Sequence, residues 1–292
     1  MKQILVTGAN GQLGNEIQVL AESYSNWKFH FTDVADLDIT NEAAVRQFVE
    51  KHSIDTIINC AAYTAVDRAE EEKELAMKIN ADAPELCAKI CNEKNIPFLH
   101  VSTDYVFDGQ NCRPYSETDQ VSPVLEYGKT KLAGEERACN VNPNTIVVRT
   151  SWLYSCFGNN FVKTMMRLGA ERDSLNVVFD QVGSPTNAAD LAKALLTMVE
   201  QILNKTVALS DVAGVYHFSN EGVCSWYDFA VEIMAKKQLD CKVSPITSDK
   251  YPTPAARPAF SVLNKDKIKS NFSVIIPHWR ESLNICIDKI KM

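Results

Sequence analysis

Short apolar runs punctuate the first half of the chain, each followed by a stretch of helical periodicity. Gln3–Val6 reads as a buried strand, with a helix opening after Gly11. Phe29–Phe31, leading to Asp33, is the second strand, and Thr40–Lys51 is a helix with Thr40 as its N-cap. Thr56–Asn59 is the third strand, and Glu71–Asn92 reads as one long amphipathic helix whose acidic first turn suits the helix dipole. Pro97–Val101 is the fourth strand; a helix carrying Tyr127 follows, then Thr145–Arg149 as the fifth. The strands are apolar throughout and do not alternate with polar residues. They are separated by helices at intervals of roughly 30 residues, so the pattern predicts an α/β, doubly wound parallel sheet with helices on both faces.

After residue 150 the rhythm changes. Helices are predicted over Asn160–Leu168, Ala188–Leu203 and Trp226–Ala235, with a strand at Val215–Phe218. The proline-rich Tyr251–Pro258 can only be a loop. We expect one domain over residues 1–150, with a segment near 180–220 returning to it. A smaller α/β domain over 151–292 would be partly interleaved with the first. A chain of 292 residues accommodates both.

Composition narrows the function. A net charge of −7 gives no basic surface for nucleic acid or anionic membranes. No run approaches the ~20 apolar residues of a membrane span, and the start carries no signal-like segment, so a cytoplasmic protein is expected. Nine cysteines without a Cys-x-x-Cys pair read as buried thiols in a reducing compartment.

Thr7-Gly-Ala-Asn-Gly-Gln-Leu-Gly14 joins the first strand to the first helix. Gly8, Gly11 and Gly14, with Asn10, Gln12 and Leu13 between them, suit a tight turn that brings backbone close to a pyrophosphate at a helix N-terminus. Asp33 follows about 20 residues later, at the end of the second strand, where a carboxylate accepts hydrogen bonds from an adenosine ribose. The combination predicts a Rossmann-like dinucleotide site for NADH or NADPH.

Tyr127-Gly-Lys-Thr-Lys131 places a phenol and an ammonium one helical turn apart. A cation there is expected to lower the phenol below its ordinary value and make it a proton donor or acceptor. Tyr24 and Lys28 share the spacing but lie away from any predicted ligand edge. Thr103, after the fourth strand, sits where open α/β sheets bind ligands. With these marks the chain resembles the extended short-chain dehydrogenase/reductases, which implies Tyr127 as proton donor, Lys131 as its tuner and ribose ligand, and Thr103 as a hydrogen-bond donor to the reacting oxygen.

Further motifs are similar to one branch of that family, the reductases of dTDP-4-dehydrorhamnose. They are Asn59–Asp67, Val101–Phe107, Arg149–Tyr154, Gly158–Phe161, Gly183–Thr186 and Tyr251–Pro258. The resemblance implies reduction of the 4-keto group of dTDP-4-dehydro-L-rhamnose to dTDP-L-rhamnose, the last step of dTDP-rhamnose biosynthesis, by a monomer or homodimer. It adds Asp38, Ile39, Ala62, Tyr63 and Thr64 to the cofactor residues, and Thr103, Asp104 and Trp152 to the dTDP-deoxy-sugar site. Arg257 is a candidate bidentate ligand for the diphosphate. Some members hold Mg²⁺ between subunits, which makes Glu16 a metal candidate; Ala189 stands where a second glutamate is expected, beside Asp190. Two alternatives remain open. A sugar-nucleotide dehydratase or epimerase shares the scaffold, although dehydratases carry Thr-Asp-Glu where this chain has Thr103-Asp104-Tyr105. A non-catalytic dinucleotide-binding regulatory subunit would not need Tyr127, Lys131 and Thr103 together.

Overall fold

A computed structural model describes residues 1–290. In chain order its strands of five residues or so are β1 (Lys2–Thr7), β2 (Trp27–Thr32), β3 (Thr56–Asn59), β4 (Phe98–Thr103), β5 (Thr145–Thr150), β6 (Ser174–Val178), β7 (Gly214–Phe218) and β8 (Lys242–Ile246). The longer helices are α1 (Gln12–Ala21), α2 (Glu42–His52), α3 (Ala83–Lys94), α4 (Glu126–Val141), α5 (Phe161–Glu171), α6 (Ala188–Leu203), α7 (Trp226–Lys237) and α8 (Trp279–Lys289).

Six strands form one parallel sheet among the described residues, in the order β7-β5-β4-β3-β1-β2. Its faces follow from the period of two along each strand. Ile4, Val6, Ile58, Leu99, Ile146 and Val148 face α1 and α6, while Leu5, Ile57 and Phe98 face α2 and α3. With both faces covered, the strands are apolar without alternation.

The chain leaves this sheet after β5 and comes back. β7 pairs with β5, and α6 buries Leu191, Leu195 and Val199 in the same cluster as Leu13 and Ile17 of α1. A separate core lies under α5, α7 and α8, where Met165, Met166, Phe229, Ile233, Leu283 and Ile287 pack together. Two parallel strands, β6 and β8, flank that core. This pair is missing from the sequence reading, because its strands are short and paired across a long stretch of chain.

Two expected boundaries need correction. Asn41, not Thr40, caps α2: Asn41 Oδ1 accepts from the Ala44 amide at 3.1 Å, and the Thr40 hydroxyl donates to Asp38 at 2.7 Å. The helix expected over Glu71–Asn92 is two pieces joined by a wide turn. Lys73–Met77 passes into a π-helical segment at Lys78–Asp82 before α3 begins, with Pro84 in its first turn. Proline has no N–H to continue the ladder. The widened turn buries Asn80, whose amide holds the Tyr63 backbone (2.8 and 3.0 Å) and the Thr130 hydroxyl of α4 (3.1 Å).

All nine cysteines are free thiols, with Cys87, Cys91, Cys224, Cys241 and Cys286 buried. Among the described residues no helix is long and apolar enough to cross a membrane.

Candidate active site

The order β2-β1-β3-β4-β5 reverses direction between β1 and β3, and open α/β sheets bind ligands at such a switch point, beyond the carboxyl ends of the strands. A cleft of about 940 Å³ opens there. Gly8, Asn10, Gly11, Gln12, Leu13 and Gly14 form one end, with Asp33, Asp38, Ile39, Ala62 and Thr64 beside them. Thr103, Asp104, Tyr127, Lys131 and Trp152 line the other end.

The glycine loop is built for close approach. Gly8 has φ +68°, a left-handed conformation that disfavours side chains, and a Cβ there would lie 2.6 Å from the Ala61 nitrogen. Gly11 caps α1 without a side chain, so the first N–H groups of the helix face the cleft bare. Asp33 braces the loop from β2: its Oδ2 accepts from the Asn10 amide at 3.0 Å, and its Oδ1 from Val34 at 2.8 Å. These residues fit a dinucleotide: a diphosphate at the helix N-terminus and a carboxylate for a ribose.

At the other end, α4 carries Tyr127 and Lys131, and the close of β4 carries Thr103. The Thr103 hydroxyl donates to Asp104 Oδ1 at 3.0 Å, accepts from the Tyr105 amide at 3.2 Å and lies within hydrogen-bonding reach of the Tyr127 phenol. Tyr105 packs edge-on against Tyr127, ring centroids 5.6 Å apart. Asp104 is buried with Oδ2 unpartnered, and burial pushes its carboxyl up to about 6.

The expected tuning of the phenol is not what the resting geometry gives. Burial, aided by the charge of Asp104 and opposed by the Thr103 hydrogen bond, pushes Tyr127 up to about 12. The Lys131 amine turns instead to β4, 2.8 Å from the Val101 carbonyl and 3.2 Å from His100 Nε2. Burial brings Lys131 down to about 8, against the pull of Glu135 and Cys60. Desolvation thus outweighs the helical spacing that suggested the pair.

Three other candidates are placed differently from their expected roles. The Tyr63 ring turns away from the cleft to pack behind Tyr127, and its hydroxyl donates to Glu72 at 2.6 Å. Arg257 does not line the cleft; its guanidinium forks onto Asp67 at 2.6 and 2.7 Å, so its bidentate face is engaged within the chain. Glu16 is buried, accepting from the Ser155 hydroxyl at 2.5 Å. Asp190 is taken by Asn220 and Ser282 at 2.7 and 2.5 Å. Among the described residues no group of three or more His, Cys, Asp or Glu side chains could hold a metal ion.

Trp152 does line the cleft, and its φ of +48° is unusual for a bulky residue. Its indole stacks on Trp226 at 3.6 Å between centroids, interplanar angle 11°, and this stack holds the strained backbone in place. Lys78, from the π-helical turn, also lines the cleft and contributes to holding the Asp38 carboxyl low, after the hydrogen bonds from Thr40. Sequence reading missed Lys78, and it missed His100 and Asn59. The signal for the last two was present: polar residues inside buried strand runs, where a side chain needs a specific partner.

Comparison with known proteins follows the same lines. The family described as RmlD substrate binding domain matches residues 1–292. A protein of Aggregatibacter actinomycetemcomitans named dTDP-4-dehydrorhamnose reductase is 41% identical over 290 residues, covering 97% of each chain. A crystal structure of a dTDP-4-dehydrorhamnose reductase from Clostridium acetobutylicum superposes with a TM-score of 0.91 at 46% identity, covering 98% of each chain. Another, from Bacillus anthracis in complex with NADP, gives 0.92 at 38% identity, covering 99% of this chain and 100% of that one.

Proposed function

The chain belongs to the RmlD substrate-binding family, that of the dTDP-4-dehydrorhamnose reductases, and on that premise we propose that it reduces the 4-keto group of dTDP-4-dehydro-L-rhamnose to dTDP-L-rhamnose with NADPH or NADH. The observation that carries this reading is one cleft with a glycine-lined helix N-terminus at one end and Thr103, Tyr127 and Lys131 at the other.

The loop Gly8–Gly14 and the α1 N-terminus hold the cofactor diphosphate, Asp33 the adenosine ribose, and Tyr127 with Lys131 the nicotinamide end. The bound cofactor supplies a hydride to C4 of the sugar. Thr103 and Tyr127 direct hydrogen bonds at O4 as negative charge develops there, which is where preorganised donors contribute most. The Tyr127 phenol then gives its proton to O4. A phenol near 12 is fully protonated at neutral pH, so the donor is loaded before the sugar arrives. Lys131, titrating near 8, sits one turn away and returns a proton to the phenolate. Trp152 and Asp104 contact the sugar, the tryptophan offering a face held by Trp226 and the aspartate an unpartnered oxygen. Residues 1–150, with the returning α6 and β7, form the dinucleotide-binding part, and the core under α5, α7 and α8 carries the sugar-nucleotide side.

Asp33 leaves no room for an unopposed 2′-phosphate beside it, which favours NADH, while Lys78 across the cleft offers a cation that tolerates NADPH. Tyr105 occupies the position at which a dehydratase would need an acid, which favours simple reduction. The test is Tyr127→Phe. It should keep dinucleotide affinity within about twofold while turnover falls by ~10²–10⁴, the usual contribution of a positioned general acid. Turnover near the parent rate would remove Tyr127 from the mechanism.

A further inference from the structure

A line of hydrogen bonds runs beneath the cleft from the β3 end to Lys131. Asn59 Oδ1 accepts the Ala61 amide at 3.2 Å and the Thr7 hydroxyl at 2.6 Å. The Ala61 amide is a donor in every state, so the Asn59 oxygen must face it. That leaves Asn59 Nδ2, also a donor, 3.0 Å from His100 Nδ1. His100 therefore accepts at Nδ1 and, as a neutral imidazole, carries its proton on Nε2. This N–H points at the Lys131 amine 3.2 Å away. An ammonium has three donors and no acceptor, whereas a neutral amine has a lone pair. Asn59 and His100 are fully buried and Lys131 nearly so, so no bulk water stands in for a missing partner.

We propose that Asn59 and His100 are positioning residues that fix the Nε2–H tautomer of His100 and present a donor to Lys131, so that its ammonium form is disfavoured and its proton is released more readily than from an ordinary lysine. Protonating Lys131 puts two donors face to face. Relief requires the His100 proton to move to Nδ1, which then meets the Asn59 amide, and turning Asn59 over breaks its bond to Ala61. The pair opposes the ammonium by geometry as well as by burial. The other groups facing Lys131 are Cys60 from the loop after β3, the Val101 carbonyl of β4, and Glu135 on α4. Glu135 favours the ammonium, but its carboxylate is shared with Arg149 at 2.6 Å, and burial keeps the Cys60 thiol up near 12. The lowered values for Lys131 and His100 agree with this arrangement.

Only the consequence for catalysis rests on the reductase reading: a lysine that yields its proton readily can resupply Tyr127. The tautomer itself is independent of substrate, so its test uses the resting protein. Long-range ¹H–¹⁵N correlation spectra of the histidine rings above pH 8 should show His100 protonated on Nε2 and bare on Nδ1. A proton on Nδ1 overturns the proposal. The second measurement is a ¹³C-lysine titration, with Lys131 assigned by loss of its signal in Lys131→Met. Asn59→Leu adds no charge and removes the donor that faces Nδ1, so His100 can carry its proton there and turn the Nε2 lone pair to the ammonium; the Lys131 midpoint should rise, its proton affinity growing tenfold or more. An unchanged or lower midpoint overturns the proposal. The pH profile of kcat/KM should shift by the same amount. If it does not while the spectra agree, the tautomer stands and the reductase role of Lys131 falls.

Discussion

Replacing Gly14 by alanine sets two effects of opposite sign against each other. Alanine gains about 0.8–1.0 kcal/mol over glycine in a helix. The new methyl, however, would lie 2.6 Å from both Ala9 Cα and Ala9 O and close against the Gly8 carbonyl. Carbon contacts are comfortable near ~3.5–4.0 Å, so the loop and α1 must part by about 1 Å. All three obstacles are backbone and cannot rotate away. Overpacking of this kind costs ~1–3 kcal/mol, which exceeds the helix gain. The variant should therefore lose up to ~2 kcal/mol, a fall of as much as a few degrees in Tm. The larger effect is on binding, since the displaced segment is the diphosphate loop: calorimetry should find NAD(P)H at least ~10-fold weaker, about 1.4 kcal/mol. Gly169→Ala in α5 is the control. Its methyl also meets crowded space, but the neighbours are the Met234 thioether tail, with its methyl at 2.8 Å, and Leu239 Cδ1 at 3.0 Å. A methionine tail repacks at little cost. Gly169→Ala should keep the parent's cofactor affinity and its Tm within a degree or two. If Gly14→Ala raises Tm and binds cofactor as tightly as the parent, the close packing of loop on helix is not what glycine secures there.

Three further outcomes are expected. Asp104→Asn removes a carboxyl that burial holds up near 6. The folded state binds this proton more tightly than the unfolded chain, so the Asp104 contribution to stability declines from about pH 4 to about pH 6 and stays low above. The variant should then be more stable than the parent by on the order of 1–3 kcal/mol at pH 8, and equal to it below pH 4, in denaturant titrations, while losing activity. Glu135→Gln leaves Arg149, 4% exposed, without its carboxylate. Denaturant melts should show a loss of ~3–5 kcal/mol, whereas replacing both partners with apolar residues should cost much less. Trp226→Leu takes away the ring on which Trp152 stacks, and KM for the sugar nucleotide should rise severalfold with cofactor affinity unchanged.

Local features of the sheet and the phosphate loop were readable because their signals are local. A run such as Gln3–Val6 followed by glycines needs no distant information to be read as strand, turn and helix start. The helix at Ala188–Leu203 was legible for the same reason, since its caps and apolar stripe lie within it. Side-chain destinations were not. Arg257 finds Asp67 across most of the chain, and nothing near either residue announces the pair. The i,i+4 spacing of Tyr127 and Lys131 is real, but a flexible lysine goes to the best acceptor, and the Val101 carbonyl on a neighbouring strand wins. The π-helical turn at Lys78–Asp82 escaped notice because helical periodicity continues across it, and only its contacts through Asn80 reveal its use.

The proposed reaction is net hydride transfer to a keto-sugar. Purified protein mixed with dTDP-4-dehydro-L-rhamnose and NADPH, and separately NADH, should consume one reduced cofactor for each sugar converted, yielding dTDP-L-rhamnose. Conversion without net cofactor loss, elimination of water, or an inert mixture with both cofactors would contradict it.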